Sequence, residues 1–158
     1  MRFDNLTRDE KYFSATVLPG LLAYDNFQGL KTFLELLNSK LKLTSSPVID
    51  LTGFVGRTDS IQLITEANLE RDVVYYKIDI PSHLFERKQH RTSIPDILVV
   101  FSDWVILIEA KFFMSFSSHQ LYEQMQKQTY LLDIICGLFG NMNMNKVQLS
   151  ISPYGENL

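Results

Sequence analysis

The chain has 158 residues, 46% hydrophobic and 21% charged, a composition typical of one globular domain with a substantial core rather than of a disordered segment. Its net charge of −3 and pI of about 5.6 exclude a molecule that attracts nucleic acid over its whole surface, so any polyanion must be bound locally. The single cysteine, Cys136, excludes an internal disulfide and a zinc site made of several thiolates, and no apolar run is of signal-peptide or membrane-spanning type. We therefore expect a cytoplasmic protein without membrane contact.

The N-terminal part predicts two helical pieces. The first 24 residues change from polar to apolar, and Pro19-Gly20 predicts a short helix before the proline and an irregular apolar segment after it. Apolar residues then recur at helical spacing from Phe27 to Leu41, behind Asp25 as the predicted N-cap. This amphipathic helix is expected to pack against a sheet, and a partner-binding surface is the alternative interpretation.

The middle of the chain has β character between loops. Residues 42–60 have loop composition with one short predicted strand at 48–51. Residues 61–69 alternate as a strand that carries Glu66, and a helical interpretation of them stays open. Residues 73–80 predict a further strand that stops at Pro81.

The densest positive cluster of the chain follows at residues 86–91. One interpretation is a solvated loop or edge strand. The other is a nucleic-acid contact in which Arg87, Lys88 and Arg91 bind phosphates, and its support is the short sequence distance to Asp96.

A β-hairpin is predicted where two apolar runs flank Ser102-Asp103. In a hairpin, the residue numbers of any two directly opposed residues add up to the same value. A turn centred between Ser102 and Asp103 makes that value about 205, which places Asp96 opposite Glu109. Because side chains alternate along a strand, Asp96, Glu109 and Lys111 should share one face. Two carboxylates about 5 Å apart repel each other, whereas a divalent cation between them would turn the repulsion into binding.

A helix is expected after the hairpin, from about His119 to Leu138, with its N-terminus capped by a serine of residues 115–118. Gln124 and Gln128 lie four residues apart and border its apolar stripe. They are either solvated or part of a site. Residues 146–152 alternate as a last strand.

The charged end of the hairpin fits a magnesium site for phosphoryl transfer. Asp96 and Glu109 supply hard oxygen ligands, the carbonyl of Ala110 is a further one, and waters and substrate phosphate would complete the coordination. Lys111 lies about 7 Å further along the strand than Glu109. There it can position an attacking water or stabilise charge on the phosphate.

Pro95-Asp96, twelve intervening residues and Glu109-Ala110-Lys111 together resemble the PD-(D/E)XK nuclease superfamily. The resemblance implies an α/β fold with a mixed central β-sheet flanked by helices and a restriction-endonuclease-like αβββαβ core. It implies that Asp96 and Glu109 bind Mg²⁺ or Mn²⁺ and that Lys111 assists the nucleophilic water. Glu66 matches an acid that many members take from an earlier element, and Gln124, with Gln128 as second choice, matches a polar residue of the following helix.

The resemblance covers residues 61–152 of a single domain, 1–158, to which residues 1–60 add a helical segment. The chain is either a minimal domain or the N-terminal part of a longer protein. We expect a metal-dependent phosphodiesterase, an endonuclease or exonuclease, that binds and cuts nucleic acid, DNA in first place, and a homodimer would supply the two sites needed to cut a duplex. The alternatives are a nuclease-like module that binds nucleic acid or a protein partner without catalysis, and a structural ion pair between Lys111 and the two carboxylates.

Overall fold

The computed structural model describes residues 12–43, 48–51, 60–68, 71, 94–111, 117–138 and 144–151. In chain order these form a π-helical turn (Phe13–Val17), helix α1 (Leu18–Leu43), strands β1 (Gln62–Thr65), β2 (Ile97–Phe101) and β3 (Trp104–Ala110), helix α2 (Ser118–Leu138) and strand β4 (Asn145–Ile151). The strands form one sheet in the order β1-β2-β3-β4, in which β3 and β4 are parallel and the other pairs are antiparallel. The protein is therefore α/β with a mixed open sheet and helices, as the sequence predicts at that level.

The predicted strand at 73–80 and the basic cluster with Arg87, Lys88 and Arg91 lie outside the described residues.

Strands β2 and β3 are buried along their whole length because each face of the sheet carries its own core. The α1-side core consists of Leu18, Leu22, Leu30, Leu34, Ile49, Ile61, Ile97, Val99, Phe101, Trp104, Ile106 and Ile108, with smaller contributions from partly buried neighbours. The α2-side core includes Leu98, Val100, Val105, Leu107, Leu131, Leu132, Ile135 and Cys136. The alternation of β2 and β3 residues between these cores fixes which side chains face which helix.

The hairpin register is confirmed. Phe101 pairs with Trp104 and Ile97 pairs with Ile108, so the turn is centred between Ser102 and Asp103. Ser102 has a φ of 50°, the left-handed conformation that a tight turn of this kind requires. The neighbouring pair, Thr65 with Ile97, aligns β1 on the other side of β2.

Helix α1 departs from the sequence prediction at Pro19. The chain stays helical after the proline, so the predicted irregular segment is wrong. Proline has no N–H for the carbonyl four residues earlier and its ring crowds that carbonyl. The wide π turn directly before it, in which the Leu18 N–H donates to the Phe13 carbonyl, is a local form that accommodates such a residue.

A sharp bend divides α1 at Tyr24–Phe27, where the backbone is not helical. Asp25, Asn26 and Phe27 all have positive φ, so Asp25 is not the N-cap of the following helical segment and that prediction is wrong. The bend brings the two segments together: a Cβ atom on Gly29 would lie 1.8 Å from the carbonyl oxygen of Leu21. Only glycine fits there.

Residues 48–51 do not form the predicted strand. The backbone of Ile49 pairs with the side chain of Asn38 instead of with another strand. Asn38 of α1 donates to the Ile49 carbonyl over 2.9 Å and accepts from the Ile49 N–H over 2.8 Å. These two bonds satisfy the backbone of a buried residue in the way a strand would.

The predictions for α2 and β4 are confirmed to within one residue. Ser117 caps α2: its hydroxyl accepts from the Gln120 N–H over 3.2 Å and its own N–H donates to the Gln120 side chain over 3.0 Å. β4 is joined to the hairpin turn by Asn145, whose N–H donates to the Asp103 carbonyl over 2.7 Å. Within the described segments, neither helix has the length and apolar content to span a bilayer.

Candidate active site

Asp96 and Glu109 face each other at the end of the β2–β3 hairpin. Asp96 immediately precedes β2, and its carbonyl accepts the Glu66 N–H over 3.0 Å, so its backbone is directed to the β1 side. In an antiparallel ladder the N–H and C=O of one residue point to the same neighbouring strand. Asp96 and Glu109 therefore form a non-hydrogen-bonded pair across β2 and β3, the kind whose side chains lie closest.

The Glu109 carboxylate is buried, with 4% of the residue exposed, and both of its oxygens accept hydrogen bonds. Lys111 Nζ lies 2.7 Å from Oε1, and Gln124 Nε2 donates to the same oxygen. Gln128 Nε2 donates to Oε2 over 2.7 Å. A buried charge needs such a set of partners, and here α2 and the residue after β3 supply it.

Gln128 is fully buried, so the interpretation of both glutamines as solvated is wrong. Gln124 is partly buried. The sequence placed the two on the border of the stripe, but Gln128 faces the sheet, where its amide binds the carboxylate of Glu109.

Gln148 of β4 is a site neighbour that the sequence did not indicate. Its amide donates to Gln128 Oε1 over 3.2 Å and to the Met125 carbonyl over 2.8 Å. It thereby joins the edge of the described sheet to α2 and fixes the side-chain amide of Gln128 with Nε2 toward Glu109. The alternation of β4, with polar Lys146, Gln148 and Ser150 toward α2, was the available signal.

Among the described residues, Asp96 has fewer hydrogen-bond partners than Glu109. Its Oδ2 accepts the Ala110 N–H over 2.8 Å. Burial raises the pKa of Asp96, the Ala110 bond opposes that effect, and the charge of Glu109 raises the pKa further, with smaller opposing effects from Ser14 and Lys111. A cation bound between the two carboxylates would offset the repulsion between their negative charges.

In the contacts between described residues, Glu66 reaches the site through its backbone. It follows β1 with a φ of 48°, rather than lying within the strand as predicted, and its side chain is exposed. Its N–H donates to the backbone carbonyl of Asp96, and its own carbonyl accepts a hydrogen bond from Arg71 Nη2 over 3.5 Å. A catalytic role for the Glu66 carboxylate stays a prediction.

The oxygen atoms at the end of the hairpin suit a hard cation. The Ala110 N–H points to Asp96, so the carbonyl of the same residue is directed to that side as well. Ser150, paired with Glu109 in the parallel register, has a buried Oγ without a hydrogen-bond partner among the described residues. No group of three His, Cys, Asp or Glu residues gathers in the described part of the chain, but Mg²⁺ sites commonly use only one or two carboxylates. The residues present therefore fit Mg²⁺ or Mn²⁺.

Comparisons with known proteins found no match to this chain among protein-family models, curated proteins or solved structures.

Proposed function

We propose that the protein is a Mg²⁺-dependent nuclease that hydrolyses phosphodiester bonds in nucleic acid, with DNA as the first candidate substrate. The observation that carries this proposal is that Asp96 and Glu109 form a non-hydrogen-bonded cross-strand pair and that Lys111 forms an ion pair with Glu109. Like charges opposed across a sheet destabilise it, so a structural role alone gives no reason for the pair. The order of the described elements, helix, three strands, helix and strand, agrees with the proposed restriction-endonuclease-like core.

The cation would be held by Asp96, Glu109 and the carbonyl of Ala110. When bound, Mg²⁺ lowers the pKa of a coordinated water and stabilises charge on the phosphate. Lys111 and Gln124 both donate to Oε1 of Glu109, so one can turn to the attacking water or to a phosphate oxygen while the other keeps that contact. Gln128 holds Oε2 throughout, which keeps the Glu109 carboxylate in one orientation.

One observation favours the alternative, a nuclease-like module that binds nucleic acid or a protein without cutting. Both oxygens of Glu109 already accept hydrogen bonds from side chains of this chain. A network satisfied in this way can be a purely structural one.

The experiment that separates the two incubates the protein with plasmid DNA, single-stranded DNA and RNA in Mg²⁺, Mn²⁺ or EDTA. Cleavage should need the metal and fall at least about 100-fold in Asp96→Asn and Lys111→Ala. Asp133→Asn and Lys31→Ala are matched controls, because these residues form ion pairs at the surface on α2 and α1 and should leave cleavage unchanged.

Cleavage that survives in Asp96→Asn and Lys111→Ala would refute this site. Measurable DNA binding without cleavage by the wild type would favour the binding module.

A further inference from the structure

We infer that Gln148, on β4, is a positioning residue for the carboxylate of Glu109 and acts on it through Gln128. The inference rests on the proposed function, in which Glu109 holds the cation. It extends the site to β4, which the motif from Asp96 to Lys111 does not include. The hydrogen bonds that Gln148 donates go to Gln128 and to the backbone of α2, so its effect on Glu109 is indirect.

The chain of hydrogen bonds from β4 to Glu109 has a fixed direction, because the groups at both of its ends can only accept. At one end, Gln148 Nε2 donates to the Met125 carbonyl over 2.8 Å and to Gln128 Oε1 over 3.2 Å. At the other end, Gln128 Nε2 donates to Glu109 Oε2 over 2.7 Å. A backbone carbonyl and an ionised carboxylate have no proton to donate. Both ends therefore require the same orientation of the two side-chain amides.

The orientation of the Gln128 amide matters because the residue is fully buried and water cannot replace a lost partner. The oxygen and nitrogen ends of a primary amide have nearly the same shape, so packing alone does not select which end faces Glu109. If the amide were reversed, two acceptors would face each other. The N–H that Gln148 donates to Oε1 selects the orientation in which Glu109 receives a donor.

A fixed Oε2 also determines the position of the other oxygen of Glu109. Oε1 accepts from Lys111 and from Gln124, which approach it from the end of β3 and from α2. Rotation of the carboxylate would exchange its two oxygens and break these contacts. Residues that restrain a metal ligand in this way contribute to metal affinity without touching the metal.

Attachment of β4 to α2 does not by itself require a glutamine at position 148. Lys146, two residues earlier on the same face of β4, already forms an ion pair with Asp133 of α2 over 2.6 Å. An apolar residue at position 148 would bring β4 against α2 by packing instead. What glutamine adds is a donor for the buried oxygen of Gln128.

The test compares Gln148→Leu and Gln148→Met with the matched control Gln126→Leu, which removes an amide of α2 that donates to the Tyr122 hydroxyl. The two substitutions at position 148 both remove the amide, and methionine keeps an unbranched side chain of similar length. Urea unfolding measures the stability of every variant.

Two readouts report on the site. One is the Mn²⁺ affinity of the protein without nucleic acid. The other is the ¹³C NMR shift of the Glu109 side-chain carboxyl group without metal, which reports the hydrogen bonds of that group. Because the described hydrogen bonds of Gln148 do not reach Glu109, a change in this shift must be transmitted through a neighbour. Gln128→Leu, alone and together with Gln148→Leu, tests whether Gln128 is that neighbour.

Both substitutions at position 148 should weaken Mn²⁺ binding about 10-fold, as loss of a residue that orients a metal ligand does, and should move the Glu109 carboxyl shift. Gln126→Leu should change neither. Gln148→Leu should weaken binding by less than about 2-fold more in a protein that already carries Gln128→Leu, because its effect passes through Gln128.

Variants at position 148 that lower stability but leave the Mn²⁺ affinity and the Glu109 carboxyl shift unchanged would overturn the positioning role. Equal losses of affinity with and without Gln128→Leu would overturn the route through Gln128. A wild type that neither binds Mn²⁺ nor cuts nucleic acid would refute the proposed function instead, and the Glu109 carboxyl shift would still decide whether Gln148 positions that carboxylate.

Discussion

The side-chain amide of Gln128 donates to Oε2 of Glu109 over 2.7 Å, and its own oxygen accepts from Gln148. A residue of α2, one of β3 and one of β4 are thereby joined in a single chain of hydrogen bonds. Because Gln128 is fully buried, water cannot replace it as the partner of the carboxylate.

Gln128→Leu should destabilise the protein by about 1–3 kcal/mol, since it leaves a buried carboxylate oxygen without its donor. The matched control is Gln126→Leu on the exposed side of the same helix, where the amide bonds to the Tyr122 hydroxyl and the cost should be at most about 0.5 kcal/mol. Urea unfolding measures both. Equal losses in the two variants would show that the bond to Glu109 contributes little to stability.

Asp96→Asn should be neutral or stabilising in the absence of divalent cations. Burial and the Glu109 charge raise the pKa of Asp96 in the folded protein. A carboxyl with a raised pKa stabilises the fold below its unfolded pKa, and that contribution is lost as the pH rises through the folded pKa. The wild type should therefore lose stability with pH upward from the ordinary aspartate pKa, and Asp96→Asn should lessen that loss.

Thermal unfolding across this pH range in EDTA checks the slope. Asp133→Asn is the comparison, because Asp133 pairs with Lys146 over 2.6 Å and its loss should cost up to about 1 kcal/mol. A marked loss of stability at neutral pH in Asp96→Asn would mean that the negative charge itself stabilises the fold.

Gly29→Ala should cost about 3 kcal/mol or more, because the new methyl group would overlap the Leu21 carbonyl, a backbone atom that cannot turn away. Gly20→Ala is the control: no heavy atom lies within 4 Å of the added Cβ, so alanine should stabilise the helix by about 0.5–1 kcal/mol. Chemical unfolding of the two variants compares them. If Gly29→Ala is as stable as Gly20→Ala, the two segments of α1 do not approach each other as closely as described.

Much of the hairpin could be predicted because its determinants are local. The two apolar runs and the short polar turn fix the pairing of Phe101 with Trp104, and the alternation then fixes the faces of Glu109 and Lys111. The start of α2 likewise depends on residues that are close in the sequence, because Ser117 and Gln120 cap the helix through hydrogen bonds with each other.

The remaining parts depend on contacts between distant segments. Gln148 reaches Gln128 only because β4 lies parallel to β3. The left-handed backbone at Asp25 and Phe27 had no glycine to indicate it. Propensity and periodicity carry no information on such pairs, so the sequence left Gln128 open between a solvated residue and a site residue and did not indicate Gln148.

Lys111 and Glu109 should behave as a coupled pair. Their side chains are 15% and 5% exposed and 2.7 Å apart, so Lys111→Met leaves a carboxylate largely buried without its cation and should cost about 3 kcal/mol or more. Glu109→Gln in the same chain removes the unpaired charge, so the double variant should be more stable than Lys111→Met alone. The exposed pair Lys31 and Glu35 is the control, with a coupling energy of at most about 1 kcal/mol.

A double-mutant cycle measured by urea unfolding gives both coupling energies. If the doubly substituted protein approaches wild-type stability, the fold does not require the two charges, and their presence is better explained by the proposed chemistry. Additive losses for Lys111→Met and Glu109→Gln would contradict the coupling. A double variant that stays as unstable as Lys111→Met would favour the purely structural interpretation of the ion pair.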